Sequence, residues 1–305
     1  MNRKIGTPEQ LCEAQRVTVN DGRGAGVRLI NVSNGKLNFV LSESNCLDIL
    51  RLWHGGTNIG FLTKNGLYGV KDEFPHTFPA GMLYTCGLDN IGARDGFPIH
   101  GRLHSIPAEI NAIKADEKGV RISATVRDAA LFGENLSLNR VIETAFGSGT
   151  VVITDTLTNN AFRTENYCML YHINGGYPLV DEGAEIICDA GESIPRTPWA
   201  AENKARMFLV DAPCDNEEEM CYFHRLRRPE ISILNRKIGK KLTVRYSDAT
   251  LPVLVEWKSM GSGDYTIGLE PATSWLDGYF AYRQLEPGGS VVNSVSISVE
   301  DVEKR

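Results

Sequence analysis

The chain lacks long apolar runs: none approaches the roughly 18 consecutive apolar residues of a membrane span. Its opening stretch, MNRKIGTPEQLCEAQ, also lacks the apolar core of a secretory signal peptide. The formal charge of −6 argues against a nucleic-acid partner, because nucleic-acid-binding domains are usually basic. We therefore expect a protein with neither a membrane nor a nucleic-acid partner.

The seven cysteines include no C-x-x-C pair, and their number is odd. A chain of 305 residues is also long enough to bury a core without disulfide bonds. These features predict a reduced, cytoplasmic protein. The sequence leaves the oligomeric state open, a homodimer included.

Helical periodicity is scarce, and only two short stretches suggest helices. TPEQLCEAQ offers Thr7 as an N-cap with Pro8 at the first helical position, and CDNEEEMCYF is the second candidate. No linker, repeat or low-complexity tract divides the chain. Residues 1–305 are therefore predicted to form a single domain.

Alternation with period two dominates instead, as in half-buried strands. GVRISATVRD places Val120, Ile122, Ala124 and Val126 on one face, and KLTVRY, LPVLVEWK and SVSISVE alternate in the same way. Glycine- or asparagine-containing turns such as SNGK, GSGT and GSGD separate such runs. The pattern predicts an all-β fold, an antiparallel sandwich or barrel with few short helices.

Polar side chains in or beside strand-like runs are the candidates for chemistry, and they fall in three places. HGRLHSIP, YHINGGYPL and YTIGLEPAT supply, respectively, His100, Arg102 and His104, then His172 and Asn174, then Glu270. His100, Arg102 and His104 would share one face if their segment were a strand. An antiparallel sheet can bring such distant residues onto one face.

Other kinds of site fit these residues less well. A metal site at His100 and His104 lacks an H-E-x-x-H pattern and has Arg102 beside it, which would repel a cation. DGRGAGVRL has no phosphate-binding G-x-x-x-x-G-K-[ST], and no G-x-S-x-G nucleophile motif occurs. Proton transfer between a carboxylate and a histidine uses all three places if the remaining histidine and arginine side chains bind hydroxyls and stabilise charge that develops on oxygen.

In combination, HGRLHSIPAE, YHINGGYPL and YTIGLEPAT resemble motifs of the aldose 1-epimerase (galactose mutarotase-like) superfamily. GMLYTCGLDNIG followed by FPIHGRLHSIPAE resembles a divergent, uncharacterised aldose-epimerase-like branch of the DUF4432 type. The resemblance implies a large antiparallel β-sandwich whose concave sheet binds a carbohydrate, with no cofactor and no metal. It also implies that His100 contacts the sugar, His172 protonates the ring oxygen and Glu270 takes the proton of the anomeric hydroxyl.

The sequence departs from that superfamily at the sugar-binding positions. Asn90 or Arg94 is an approximate counterpart of an upstream Asn-Arg pair, and the usual hydroxyl-binding aspartate has no clear match. Arg102 and His104 are features of the divergent branch. Arg102 would suit an anionic sugar through bidentate pairing with its acidic group. We expect Asn90, Arg102, His104 and Asn174 to help bind the substrate, and a sugar acid, a modified sugar or a ketose suits the site as well as galactose.

Three functions follow as alternatives. The first is a cofactor-independent epimerase that interconverts anomers by acid-base ring opening. The second is a carbohydrate-binding protein without turnover, and the third is another sugar isomerase or lyase that abstracts a proton from carbon.

Overall fold

The computed structural model describes residues 3–69 and 73–304, most of which lie in β-strands. The strands are β1 (Glu13–Thr18), β2 (Arg28–Ser33), β3 (Leu37–Ser42), β4 (Asp48–His54), β5 (Thr57–Asn58), β6 (Tyr84–Leu88), β7 (Glu109–Asp116), β8 (Gly119–Ala129), β9 (Asn135–Ala145), β10 (Thr150–Asn159), β11 (Glu165–Gly175), β12 (Glu185–Pro195), β13 (Met220–Asn235), β14 (Lys240–Tyr246), β15 (Val253–Gly261), β16 (Asp264–Ala272), β17 (Arg283–Leu285) and β18 (Ser290–Asp301). Two short α-helices, α1 (Phe74–Thr77) and α2 (Pro198–Glu202), accompany them. Neither of these helices has the length and apolarity to cross a membrane.

The strands form two antiparallel sheets. The smaller sheet has the order β1-β2-β3-β4-β5. The larger has thirteen strands in the order β17-β11-β16-β15-β13-β14-β18-β10-β9-β8-β7, with β6 paired to β11 and β12 paired to β13. The all-β prediction of a large antiparallel sandwich is confirmed.

Alternation along the strands builds the core between the sheets. Ile30 and Phe39 of the small sheet belong to the same buried apolar cluster as Ile122, Leu138 and Ile153 of the large sheet. On β8 the predicted inward residues are buried, whereas Arg121 and Arg127 on the opposite face are exposed. Period-two burial therefore fixes which face of each strand meets the core.

Both helix predictions are wrong in extent or type. Thr7 does cap a helical turn, but that turn is a 3-10 helix over Pro8–Gln10, and β1 begins at Glu13. CDNEEEMCYF forms no helix: its last residues begin β13 at Met220. The pairing of Met220–His224 with β15 overrides the helix propensity of the glutamates.

A buried cluster of charges lies between the sheets around Arg140, which is 0% exposed. Its guanidinium donates to both oxygens of Asp155, at 2.9 and 2.7 Å, and to Oδ1 of Asp48 at 2.7 Å. It also donates to the carbonyl oxygen of Cys46 and to the hydroxyl of Thr85. Every donor is therefore satisfied in a place from which water is excluded.

Candidate functional site

Neighbouring strands of the large sheet place one row of side chains across one face of that sheet. The register pairs Tyr84 with His172, Glu270 with Val255, and Val255 with Phe223. Because β11 and β16 pair Ile173 with Leu269, the same register sets His172 opposite Glu270. The two residues implied as catalytic, far apart in sequence, are therefore cross-strand neighbours.

His172 and Glu270 are almost fully buried, with 4% and 2% of their surface exposed. Nδ1 of His172 lies 3.2 Å from Oε1 of Glu270, and neither atom makes a hydrogen bond to another described residue. Gly268, two residues before Glu270, leaves room for its side chain, because a Cβ there would collide with Oε1 of Glu270. The two side chains therefore lie in contact, and Nδ1 of His172 and Oε1 of Glu270 are free to bind or transfer a proton.

Burial disfavours charge on both members of the pair. It raises the pKa of Glu270 well above its ordinary value, and the charge of Glu219 adds to the effect while that of Arg196 opposes it. Burial likewise lowers the pKa of His172 well below its ordinary value, with a further contribution from His100. A strongly shifted carboxyl group beside a strongly shifted imidazole in a cavity is typical of acid-base sites.

His100 approaches the pair from a turn before a 3-10 helix over Leu103–Ser105. His100 and Gly101 both adopt positive φ, 64° and 73°, and a Cβ at Gly101 would collide with the backbone of Gly87. The ring of His100 lies 5.4 Å from that of His172, centroid to centroid. Its Nδ1 donates to the carbonyl oxygen of Ile91 at 3.2 Å, which leaves Nε2 as an acceptor.

These three residues line a cavity of about 950 Å³. The volume lies at the upper end of the range for small-molecule sites. Aromatic rings surround the pair: Trp257 lies 5.2 Å and Phe78 5.9 Å from His172. The rest of the lining mixes apolar and polar side chains, which suits a small polar ligand.

Sequence reasoning missed many polar and aromatic side chains of this cavity, Arg196, Glu219 and Trp257 among them. Glu219 accepts a hydrogen bond from Nε1 of Trp257 at 2.7 Å. Arg196 directly follows β12, which the sequence pattern did not reveal. Glu219 fell within the stretch predicted as a helix. Trp257 was assigned to a strand but not to a site.

Arg102 lies outside this cavity, which corrects the prediction that it faces the substrate. Its guanidinium donates to both oxygens of Asp128, at 2.8 and 2.9 Å, and also contacts Asp89 and Glu134. The hydrogen bond to Asp128 is the largest cause that raises the pKa of Arg102. Three carboxylates therefore neutralise this arginine.

His104 and Asn90 are also placed elsewhere. The expected strand at His100–His104 is a turn, so His104 does not share a face with His100. His104 stacks on Tyr84 at 3.7 Å and contacts Asp48 through Nδ1 at 2.9 Å. Asn90 is fully buried and donates to the carbonyl oxygens of Gly92 and Pro98. Both stabilise the cavity surroundings rather than line the cavity.

Asn174 is the fourth predicted binding residue that does not line the cavity. It is fully buried, and its Nδ2 donates to the carbonyl oxygens of Gly81 and His172. Of the seven predicted site residues, the structure thus brings together His100, His172 and Glu270. The described residues include no group of three or more histidine, cysteine, aspartate or glutamate side chains that could hold a metal ion.

The protonation of His100 predicts an acid-sensitive contribution to stability. Burial lowers its pKa from 6.5 to about 4, so the folded protein holds it neutral while the unfolded chain protonates near pH 6.5. Its contribution is complete above pH 6.5 and is lost as the pH falls toward 4. Between pH 7 and pH 5, we expect the wild type to lose about 2 kcal/mol more unfolding free energy than His100→Asn.

Urea unfolding at the two pH values measures this difference. Asparagine is the suitable replacement because it tolerates the positive φ at this position. Equal losses in the two proteins would show that His100 is not held neutral by the fold.

Comparison with known proteins agrees with this architecture. A candidate aldose 1-epimerase from Klebsiella pneumoniae has a TM-score of 0.86 at 21% identity, covering 95% of this chain and 84% of that one. A galactose mutarotase-like protein from Clostridium acetobutylicum has a TM-score of 0.72 at 12% identity, covering 96% and 100%. A candidate mutarotase from Salmonella typhimurium has a TM-score of 0.69 at 13% identity, covering 94% of each chain. These likenesses show a shared fold.

No curated protein matches the chain in sequence. A family model described as Domain of unknown function (DUF4432) matches residues 24–291. This confirms the branch that the motifs around His100 predicted. Since the match extends over most of its length, the chain belongs to the DUF4432 family.

Proposed function

We propose that this protein is a carbohydrate epimerase that interconverts the anomers of a sugar by acid-base ring opening. The observation that carries the proposal is the buried contact of His172 with Glu270, at 3.2 Å, on the floor of the cavity. The names of proteins with the same fold, an aldose 1-epimerase and mutarotases among them, agree with this chemistry. We further propose that the protein acts in the cytoplasm on a small carbohydrate, without a cofactor.

The resting pair carries one transferable proton. Burial raises the pKa of Glu270 and lowers that of His172, so it favours the uncharged pair, with the proton on the carboxyl group, over the carboxylate and imidazolium. The proposal requires that substrate binding draw the two atoms, 3.2 Å apart and not hydrogen-bonded, into a hydrogen bond through which the proton passes to give the carboxylate and the imidazolium. This second form is the one that the family resemblance assigns to the reaction.

Ring opening uses the pair in that form. Glu270 takes the proton of the C1 hydroxyl, the C1–O5 bond breaks with its electrons going to O5, and His172 protonates O5. C1 becomes the aldehyde carbon, and rotation about C1–C2 presents its other face. The reverse transfers close the opposite anomer, so no proton or electron is gained or lost.

Other residues of the cavity orient the sugar. Nε2 of His100, free because Nδ1 donates to Ile91, accepts from a sugar hydroxyl. One carboxylate oxygen of Glu219 accepts the hydrogen bond from Trp257. The other oxygen accepts from a second sugar hydroxyl. The rings of Trp257 and Phe78 lie beside His172 and offer apolar surface to the C–H groups of the sugar. These contacts hold the anomeric centre beside the two proton-transferring atoms.

Saturation-exchange NMR across a panel of neutral and acidic sugars tests the proposal. We expect the wild type to exchange magnetisation between α and β anomers of at least one sugar faster than buffer alone. In deuterated water the product should carry no deuterium at carbon, because only hydroxyl protons move. Binding without faster exchange would instead identify a carbohydrate-binding protein, and deuterium at carbon would identify an isomerase or lyase.

A further inference from the structure

Arg196 lies at the margin of the cavity floor, on the same face as the catalytic pair. It directly follows β12, and its backbone N–H donates to the carbonyl oxygen of Cys221. Arg196 therefore lies opposite Cys221 of β13. Cys221 pairs with Trp257 of β15, and Trp257 pairs with Gly268 of β16, so these residues form one row across the sheet. Arg196 therefore occupies the row next to that of Glu270, three strands away, and both line one cavity.

The guanidinium of Arg196 is only partly used by the protein. Its Nε donates to Oδ2 of Asp277 at 2.6 Å. Its two Nη groups make no hydrogen bond within the part of the chain that the structure describes. A guanidinium that is 21% exposed normally has more of its donors paired, as those of Arg102 and Arg140 are.

The carboxylates near Arg196 are better solvated than the arginine itself. Asp277 is 47% exposed, and Glu219 is also exposed and hydrogen-bonded to Trp257. Solvent screens such charges, and an exposed ion pair contributes little. Among the described residues, the other cation that lines the cavity is Lys64, whose side chain is 69% exposed and pairs with Asp264 at 2.7 Å. Of these two cations, Arg196 is the less exposed, so solvent screens its charge less.

The spacing of Arg196 from the catalytic pair fits a monosaccharide. Three inter-strand steps separate β12 from β16, which places the two backbones about 14 Å apart. The long arginine and the shorter glutamate side chains take up part of that distance. The positive charge of Arg196 opposes the rise that burial causes in the pKa of Glu270, and it adds to the lowering of the pKa of His100. A single pyranose ring is the ligand that would bridge this gap.

We infer that Arg196 determines specificity by binding the carboxylate of a sugar acid, a hexuronate whose anomeric carbon lies at His172 and Glu270. Two parallel Nη–H donors match two carboxylate oxygens. One negative charge suits the cavity better than the two of a phosphate ester, because Glu219 is nearby. The inference rests on the proposed function and names its substrate class. An anionic sugar was expected from the sequence at Arg102, and the structure assigns the role to a different arginine.

Matched sugars that differ only at C6 test the inference. We expect the kcat/KM for anomer exchange to be about ten- to a hundredfold higher for galacturonate and glucuronate than for galactose and glucose. Arg196→Gln should lower kcat/KM for the uronates about ten- to a hundredfold more than for the neutral sugars, whose smaller change would reflect loss of the arginine's charge near Glu270. Arg196→Lys should recover only part of it, because lysine lacks the planar pair of donors.

Arg227→Gln is the control, because Arg227 is an exposed arginine paired with Asp189 outside the cavity. It should leave both classes of sugar unchanged. An equal loss for uronates and neutral sugars in Arg196→Gln would overturn the inference, since it would indicate a general structural role. A wild-type preference for neutral sugars or for the 6-phosphates would also overturn it.

The same experiments separate this inference from the proposed function. If the wild type exchanges neutral sugars alone, the epimerase proposal stands and the role of Arg196 fails. If no sugar is exchanged, the epimerase proposal fails. Calorimetric binding of galacturonate and galactose to wild type and Arg196→Gln then decides whether Arg196 recognises the carboxylate.

Discussion

Glu270→Gln is expected to lower the rate of catalysed anomer exchange by about 10²- to 10⁴-fold, the usual contribution of one acid-base group. Glutamine has nearly the same shape as glutamate, so it fits above Gly268, but it can neither take nor give the proton. Exchange rates from saturation-transfer NMR measure the loss. Circular dichroism and the unfolding free energy confirm that the fold is retained.

His172→Asn should produce a loss of similar size, because both groups act in one proton-transfer event. The double variant should then be little worse than either single variant, as is usual for residues that act as a unit. Glu13→Gln, the same substitution at an exposed site on β1, should leave the rate unchanged. A double variant that retains most of the activity would refute the assignment of the pair.

Arg140→Met is expected to destabilise the protein by about 3–5 kcal/mol, the cost of removing one partner from a buried charge cluster. Among the described residues, Arg140 is the cation that contacts Asp155, and its removal leaves Asp48 with hydrogen bonds from Thr85 and a contact with His104. Each buried carboxylate then loses strong hydrogen bonds in a place from which water is excluded. The free energy of unfolding in urea gives the magnitude.

Arg121→Met is the matched control for Arg140→Met. Arg121 pairs with Glu143 across β8 and β9, but both side chains are about half exposed. We expect a loss below about 1 kcal/mol, since solvent screens such a pair. Comparable losses at the two positions would show that the cluster around Arg140 has no special importance for stability.

Strand alternation predicted the fold because the large sheet buries one face of many strands, and burial leaves a period-two pattern in the sequence. It could not predict strand order, since the pairing of β6 with β11 or of β14 with β18 depends on contacts between distant residues. His172 and Glu270 were singled out as polar residues beside strand-like runs, and the motif resemblance supplied their roles. Their contact is a consequence of the strand pairing that alternation does not reveal.

The residues that sequence reasoning misplaced share a cause. Assigning His100, Arg102 and His104 to one face presumed a strand, whereas two consecutive positive φ values turn the chain at His100 and Gly101. This turn directs Arg102 toward Asp128 of β8, a partner distant in sequence that no local pattern reveals. Arg196 was missed because partly exposed residues along β12 hide the alternation that would have marked it as a strand.

One row of paired residues limits where chains of this family can change in length. The row consists of Tyr84, His172, Glu270, Val255 and Phe223. Deleting one residue inside β16 before Glu270 would turn its neighbour toward the cavity and Glu270 away from it, because side chains alternate between the two faces. A turn such as GSGT, outside the row, can change length without altering that geometry. Natural variation in length should therefore be confined to the connections, while the strands that carry the pair vary by substitution alone.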